Sequence, residues 1–252
     1  MADRGALANL GIRVYGLGGI ALGLVGLAWG DFAAVWQPVP ESVPHRTALA
    51  YVVAACFLAG GLAMQWRRTA QYGAVVLAVL YLPFAGLWLR RVIGFPNTIG
   101  TWSGFAEQFA LVLAGVIAYA LLVPGNPLWT VRAVRIAYIF FGMCFATLGL
   151  AHFLALAFTA SMVPAWIPPG QRFWAIATGV AHVLAGISIL SGVLAALASR
   201  LLTAMIIVFG ALVWAPSLYA QPHVHMVWAG NAINLALIGA AWVVADSCRR
   251  PT

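Results

Sequence analysis

The chain has 252 residues, 64% of them hydrophobic and only 7% charged, with 13 basic and 5 acidic side chains giving a formal charge of +8. Water-soluble domains carry roughly a quarter of their residues charged, so this composition excludes a soluble globular protein and makes lipid the solvent. Every basic residue is an arginine, placed in ones and twos between apolar runs. That distribution fits orientation in a membrane and excludes a nucleic-acid surface.

Eight apolar segments lie near the ~20 residues needed to span a bilayer: 13–36, 47–66, 71–90, 104–123, 136–160, 173–195, 200–220 and 226–246. Spanning segments must satisfy their own backbone groups, which predicts helices. The expected fold is therefore all-α, an integral membrane protein of about eight helices. The first segment follows Arg4 and Arg13 in the manner of a signal peptide, but the internal symmetry described below makes it a structural helix. Its Gly16, Gly18, Gly19, Gly23 and Gly26, with Gly60 and Gly61 of the second segment, are expected at close helix contacts. Gly16-Leu17-Gly18-Gly19 has no strand before it and is not a nucleotide loop. Asp31 lies toward the end of the first segment, near enough to the interface to be hydrated.

The third segment closes with Arg90-Arg91 and the fourth opens with Glu107-Gln108. A Glu107–arginine pair at that depth would neutralise both charges. The fifth segment carries His152 and the sixth His182, each about ten residues from the same end, which at ~1.5 Å per residue is roughly 13–15 Å deep. The loop after the seventh holds His223 and His225, and the eighth carries Asn231 and Asn234 one turn apart. Ionisable groups inside a membrane are costly and mark functional sites; amides there also serve as interhelical glue. Trp36, Trp102, Trp166, Trp174 and Trp228 are expected to form an interfacial aromatic belt.

Sliding the sequence by 126 positions aligns 46–120 with 172–246 without a gap, matching Arg46 with Arg172, Trp88 with Trp214, Pro96 with Pro222 and Trp102 with Trp228. The expected organisation is two parallel four-helix repeats, 1–125 and 126–252. Matching the first segment to the fifth sets Gly30-Asp31-Phe32 opposite Ala151-His152-Phe153, and the 126-residue spacing sets Cys56 opposite His182, so a histidine site would exist in one repeat only. With both termini in the cytoplasm, nine arginines fall inside and four outside (Arg46, Arg90, Arg91, Arg172), as the positive-inside rule requires. The absence of Lys reflects a GC-rich genome and favours a bacterial source, hence a multi-pass bacterial plasma membrane protein.

Two imidazoles at matched depth on consecutive antiparallel helices are candidates for a haem iron, a metal or a quinone carbonyl, with His223 and His225 as further metal ligands above them. Asp31, Arg90, Glu107, Asn231 and Asn234 are the candidate polar pocket. Cys56, Cys144 and Cys248 form no CxxC pair and read as free thiols. HExxH, GxSxG and GKS/GKT runs are missing, which speaks against a soluble-type enzyme.

The Gly16–Gly26 helix, the Pro96–Trp102 loop leading to Glu107-Gln108, and the second copy from Pro222 and Trp228 to Asn231 and Asn234 resemble the DoxX-like superfamily of small bacterial membrane proteins. The resemblance covers nearly the whole chain as two copies, where the family has a single unit. It implies association with membrane redox systems, as in a subunit of a thiosulfate:quinone oxidoreductase. Three readings stand in order: an accessory or quinone-contacting subunit with a redox partner protein, a haem or metal protein using His152 and His182, and a small-solute transporter or sensor. The nearly pure Ala, Leu, Val, Ile and Gly of the inner helix halves argue against an ion path.

Overall fold

A computed structural model describes residues 10–123 and 128–248. The chain is all-helical among the described residues: α1 (Leu10–Trp29), α2 (Arg46–Ala63), α3 (Ala70–Gly94), α4 (Ile99–Leu122), α5 (Leu128–Leu154), a short α6 (Leu156–Met162), α7 (Gln171–Ser191), α8 (Ala195–Phe209), α9 (Ala215–Ala220) and α10 (His225–Ser247). A π-helical turn, Gly210–Trp214, joins α8 to α9. Eight spans are long and apolar enough to cross a membrane, with α8 through α9 acting as one. This is the architecture of a multi-pass membrane protein, with helices apolar enough to face lipid.

Two spans end differently from the expectation. The first helix stops at Trp29 rather than near 36, because Gly30 adopts a left-handed φ of 62° while its N–H still bonds Gly26 O. Such a residue closes a helix at little steric cost. The fifth span is not one helix to 160: it breaks at Ala155 (φ −118°, ψ 40°). The Thr159 hydroxyl covers the break, lying within hydrogen-bond distance of the carbonyls of His152, Ala155 and Leu156. α6 then leaves the end of α5 to rest on α7.

The helices form a ring. Each of α1, α2, α3, α4, α5, α7, α8 and α10 packs on the next, α10 closes on α1, and α4 meets α10 across the middle. That crossing divides the interior into one compartment within α10, α1, α2, α3 and α4, and another within α4, α5, α7, α8 and α10. The α1–α10 seam needs glycine: a Cβ on Gly239 would lie 2.1 Å from Tyr15 N, and one on Gly18 would lie 2.4 Å from Ala236 Cα. Gly16 and Gly61 likewise face each other's carbonyls across α1 and α2. The glycines thus sit at close helix contacts, as expected; small residues let backbones approach where lipid gives no hydrophobic drive.

Local geometry recurs at the spacing seen in the sequence. Trp102 Nε1 donates to Pro96 O and Trp228 Nε1 to Pro222 O, at 2.9 and 2.8 Å. Gly104 faces the Trp88 ring and Gly230 the Trp214 ring. One part of the alignment is shifted. Gly23 meets Ala54 O and Leu58 N, while Gly149 meets Gly179 O and Val183 N. The α2 partners therefore correspond one residue earlier in α7 than the ungapped alignment puts them. Packing places Gly26 and Phe57, not Asp31 and Cys56, where the second half has His152 and His182.

The two compartments are filled differently. The first is occupied by rings: Phe57 packs on Tyr81 (centroids 5.0 Å apart) and Phe84 (6.2 Å), and Tyr15 Oη donates to Leu111 O. In the second half, Gly210 stands 126 residues after Phe84. There a Cβ would stand 2.6 Å from Asn234 Nδ2, so the asparagine takes up the room.

Candidate functional site

The second compartment holds a cavity of about 380 Å³, a size typical of small-molecule sites. α4 contributes Gly104 and Glu107 to its wall, α5 His152, α7 Thr178 and His182, the α8–π segment Phe209 and Trp214, and α10 Gly230 and Asn234. It extends between the start of α4 (Ile99, Gly100) and α6 (Phe158, Met162), where the α6 side chains are exposed. Its lining is apolar and aromatic apart from a few polar groups.

Glu107 is the acidic member. Its Oε2 accepts a hydrogen bond from Trp36 Nε1 at 3.0 Å. Trp36 reaches it because the segment after α1 is knotted: Ala33 O accepts the N–H groups of Trp36 and Gln37, and Gln37 Oε1 accepts the N–H of Ala33. That knot turns the indole inward, so Trp36 is buried against Trp214. It is not part of an interfacial belt. Trp166, by contrast, is 74% exposed, while Trp102, Trp174 and Trp228 each donate to a proline carbonyl six residues earlier.

The two histidines come together. The rings of His152 and His182 are 5.2 Å apart and tilted by 34°, between Phe145, which stacks on His182, and Phe209, which lies against both. His152 Nδ1 sits 3.0 Å from Ala175 O, and His182 Nδ1 sits 2.9 Å from Thr178 O. A carbonyl only accepts, so in both rings Nδ1 carries the hydrogen. In the neutral imidazole Nε2 then keeps its lone pair. No described protein group bonds either Nε2, and both residues line the cavity.

The asparagines serve the π turn. Asn231 Nδ2 donates to Trp214 O and to Val227 O, both at 2.9 Å. Asn234 Nδ2 faces Ile206 O at 3.5 Å and lies where a Cβ on Gly210 would be. A π turn displaces carbonyls from their usual partners; Asn231 meets the last carbonyl of this one, whereas Ile206 O, in α8, also accepts the Gly210 N–H. Asn234 also lines the cavity; Asn231 lines a separate apolar groove of about 690 Å³ between α1, α8 and α10.

The remaining candidates lie elsewhere. Asp31 pairs with Arg46, whose guanidinium sits over Phe32, and it does not line the cavity. Among the described residues Glu107 makes no arginine pair. α3 runs on to Gly94, which leaves Arg90 and Arg91 exposed, Arg91 over the Trp88 ring at 4.7 Å. His223 is exposed, and the His225 ring stacks on Trp29 at 5.1 Å, so neither joins the histidine pair. Among the described residues no three His, Cys, Asp or Glu side chains gather as a metal site. Metal–nitrogen lengths of about 2 Å would also hold two imidazoles on opposite faces of a haem about 6 Å or more apart, farther than these rings stand. All three cysteines are free thiols.

No family model, curated protein or solved structure matches this chain. Function therefore rests on the site. Sequence reasoning missed Trp36, Thr178 and Phe209. For Trp88 and Trp214 the signal was present: each recurs with its facing glycine, Gly104 or Gly230, at the repeat spacing.

Proposed function

We propose that this chain is a membrane subunit that holds the head group of a lipid-soluble quinone in the cavity of its second compartment, working with a redox partner protein. The observation that carries the reading is the pairing of two uncommitted imidazole nitrogens with the Glu107 carboxyl inside an aromatic, apolar chamber. A flat ring with polar groups at its edge suits such a chamber: aromatic walls stack on it and a few placed polar groups fix its orientation. The exposed apolar side chains of α6 offer a path for an isoprenoid tail into lipid. The resemblance to the DoxX-like superfamily supports the same reading, as does the skew of arginines: with most of them in the cytoplasm, the cavity faces the outer leaflet of a bacterial plasma membrane. A haem or four-histidine metal site is not favoured, since the rings stand too close for a macrocycle and His223 and His225 lie apart from the pair.

The test is extraction of the protein from its native membrane in mild detergent, followed by chromatography of the organic extract. Quinone is expected to be enriched over total lipid and lost in His182→Ala and Glu107→Ala. A reduced-minus-oxidised spectrum without Soret bands is expected alongside. Quinone at no more than its membrane proportion would overturn the proposal.

A further inference from the structure

Resting on that reading, we propose that the cavity is built for the reduced form, a 1,4-hydroquinone, in preference to the oxidised quinone. The hydrogen-bonding character of the wall carries the inference. Both histidine Nδ1–H groups are committed to the backbone carbonyls of Ala175 and Thr178, so what each ring presents is the Nε2 acceptor. The Thr178 hydroxyl is itself turned to carbonyls, 2.7 Å from Trp174 O and 3.2 Å from Ala175 O. The Trp88 indole N–H has no partner among the described residues but is sealed, without exposed surface, and the Trp36 N–H is given to Glu107. The Asn234 amide faces Ile206 O. Apart from the Trp214 indole N–H, which no described group accepts, the donors around the chamber are thus spent or covered, and the open acceptors, the two Nε2 atoms and Glu107, outnumber it.

The acceptors also sit on different walls. The histidine pair belongs to α5 and α7, whereas Glu107 is on α4 and does not gather with them as a ligand cluster. A 1,4-hydroquinone carries an O–H donor at each end of its ring and meets acceptors on both sides. A quinone carries only carbonyl acceptors, and its presence would face lone pair against lone pair. A buried acceptor left without a donor loses its full desolvation cost, which weakens binding by about tenfold.

The experiment uses the full chain in phospholipid nanodiscs and a decyl-substituted 1,4-benzoquinone, titrated anaerobically by calorimetry in its oxidised and its reduced form. The hydroquinone is expected to bind at least about tenfold more tightly. His182→Phe, which installs the residue type found at Phe57 in the filled compartment, is expected to bring the two affinities close to equality. Glu107→Gln, which adds an amide donor of the same shape, is expected to strengthen quinone binding relative to hydroquinone. Equal or tighter binding of the oxidised form by the unaltered protein overturns the selectivity and leaves the quinone site standing. Binding of neither form overturns both. If His182→Phe fails to fold, His152→Leu replaces it, and the ratio for the unaltered protein still decides.

Discussion

Consider adding one methyl group to the α1–α10 seam. In Gly239→Ala the new Cβ would stand 2.1 Å from Tyr15 N and 2.3 Å from Tyr15 Cα. These are backbone atoms of a helix and cannot swing aside as a side-chain end can. To bring 2.1 Å back to the 3.4 Å of ordinary contact, α1 and α10 must part by more than about 1 Å, and a gap of even about 0.5–1 Å forfeits a quarter to a half of the dispersion energy along the seam. Overpacking of this kind costs about 1–3 kcal/mol. Gly86→Ala is the control. It lies within α3, nothing stands within 4 Å of its added Cβ, and relief of the glycine penalty should stabilise the helix by up to about 1 kcal/mol. Both variants are measured by titrating the protein from mild-detergent micelles into denaturing detergent and following tryptophan fluorescence. Opposite shifts of the midpoint are expected. If Gly239→Ala is as stable as Gly86→Ala, α1 does not seat on α10 this closely, and the ring would not close as described.

Two smaller predictions bear on the site and the chain end. Asn231→Leu removes the donor that meets Trp214 O and should destabilise the protein by about 0.6–2 kcal/mol in the same titration; an unchanged midpoint would show that the π turn does not need that amide. Burial pushes the Cys248 thiol above its ordinary value, against the lowering pull of Tyr138 and Arg200. Because the thiolate is the reactive form, a raised pKa means slower alkylation at pH 8 than a free thiol shows. The rate should go on rising with pH after the free thiol has levelled off. A profile that matches a model thiol would refute the burial of this residue.

The sequence by itself determined the number of spans, because apolar length is set by bilayer thickness and every backbone group must be met within a helix. It determined that α1 would be a close-contact helix, since five glycines on one span serve little else. It also placed His152 and His182 at like depth on consecutive spans, which is a matter of counting residues. Rotation was beyond it. Where every face of a helix is apolar, the 3.6-residue period carries almost no signal, so nothing in the sequence turned Glu107 toward Trp36 rather than toward Arg90 or Arg91. The folded chain decided that through contacts distant in sequence: the knot at 33–37 that carries Trp36 inward, the break at Ala155, and the one-residue shift that sets Phe57 opposite His182. The contrast between a filled compartment and an open one depends on these too.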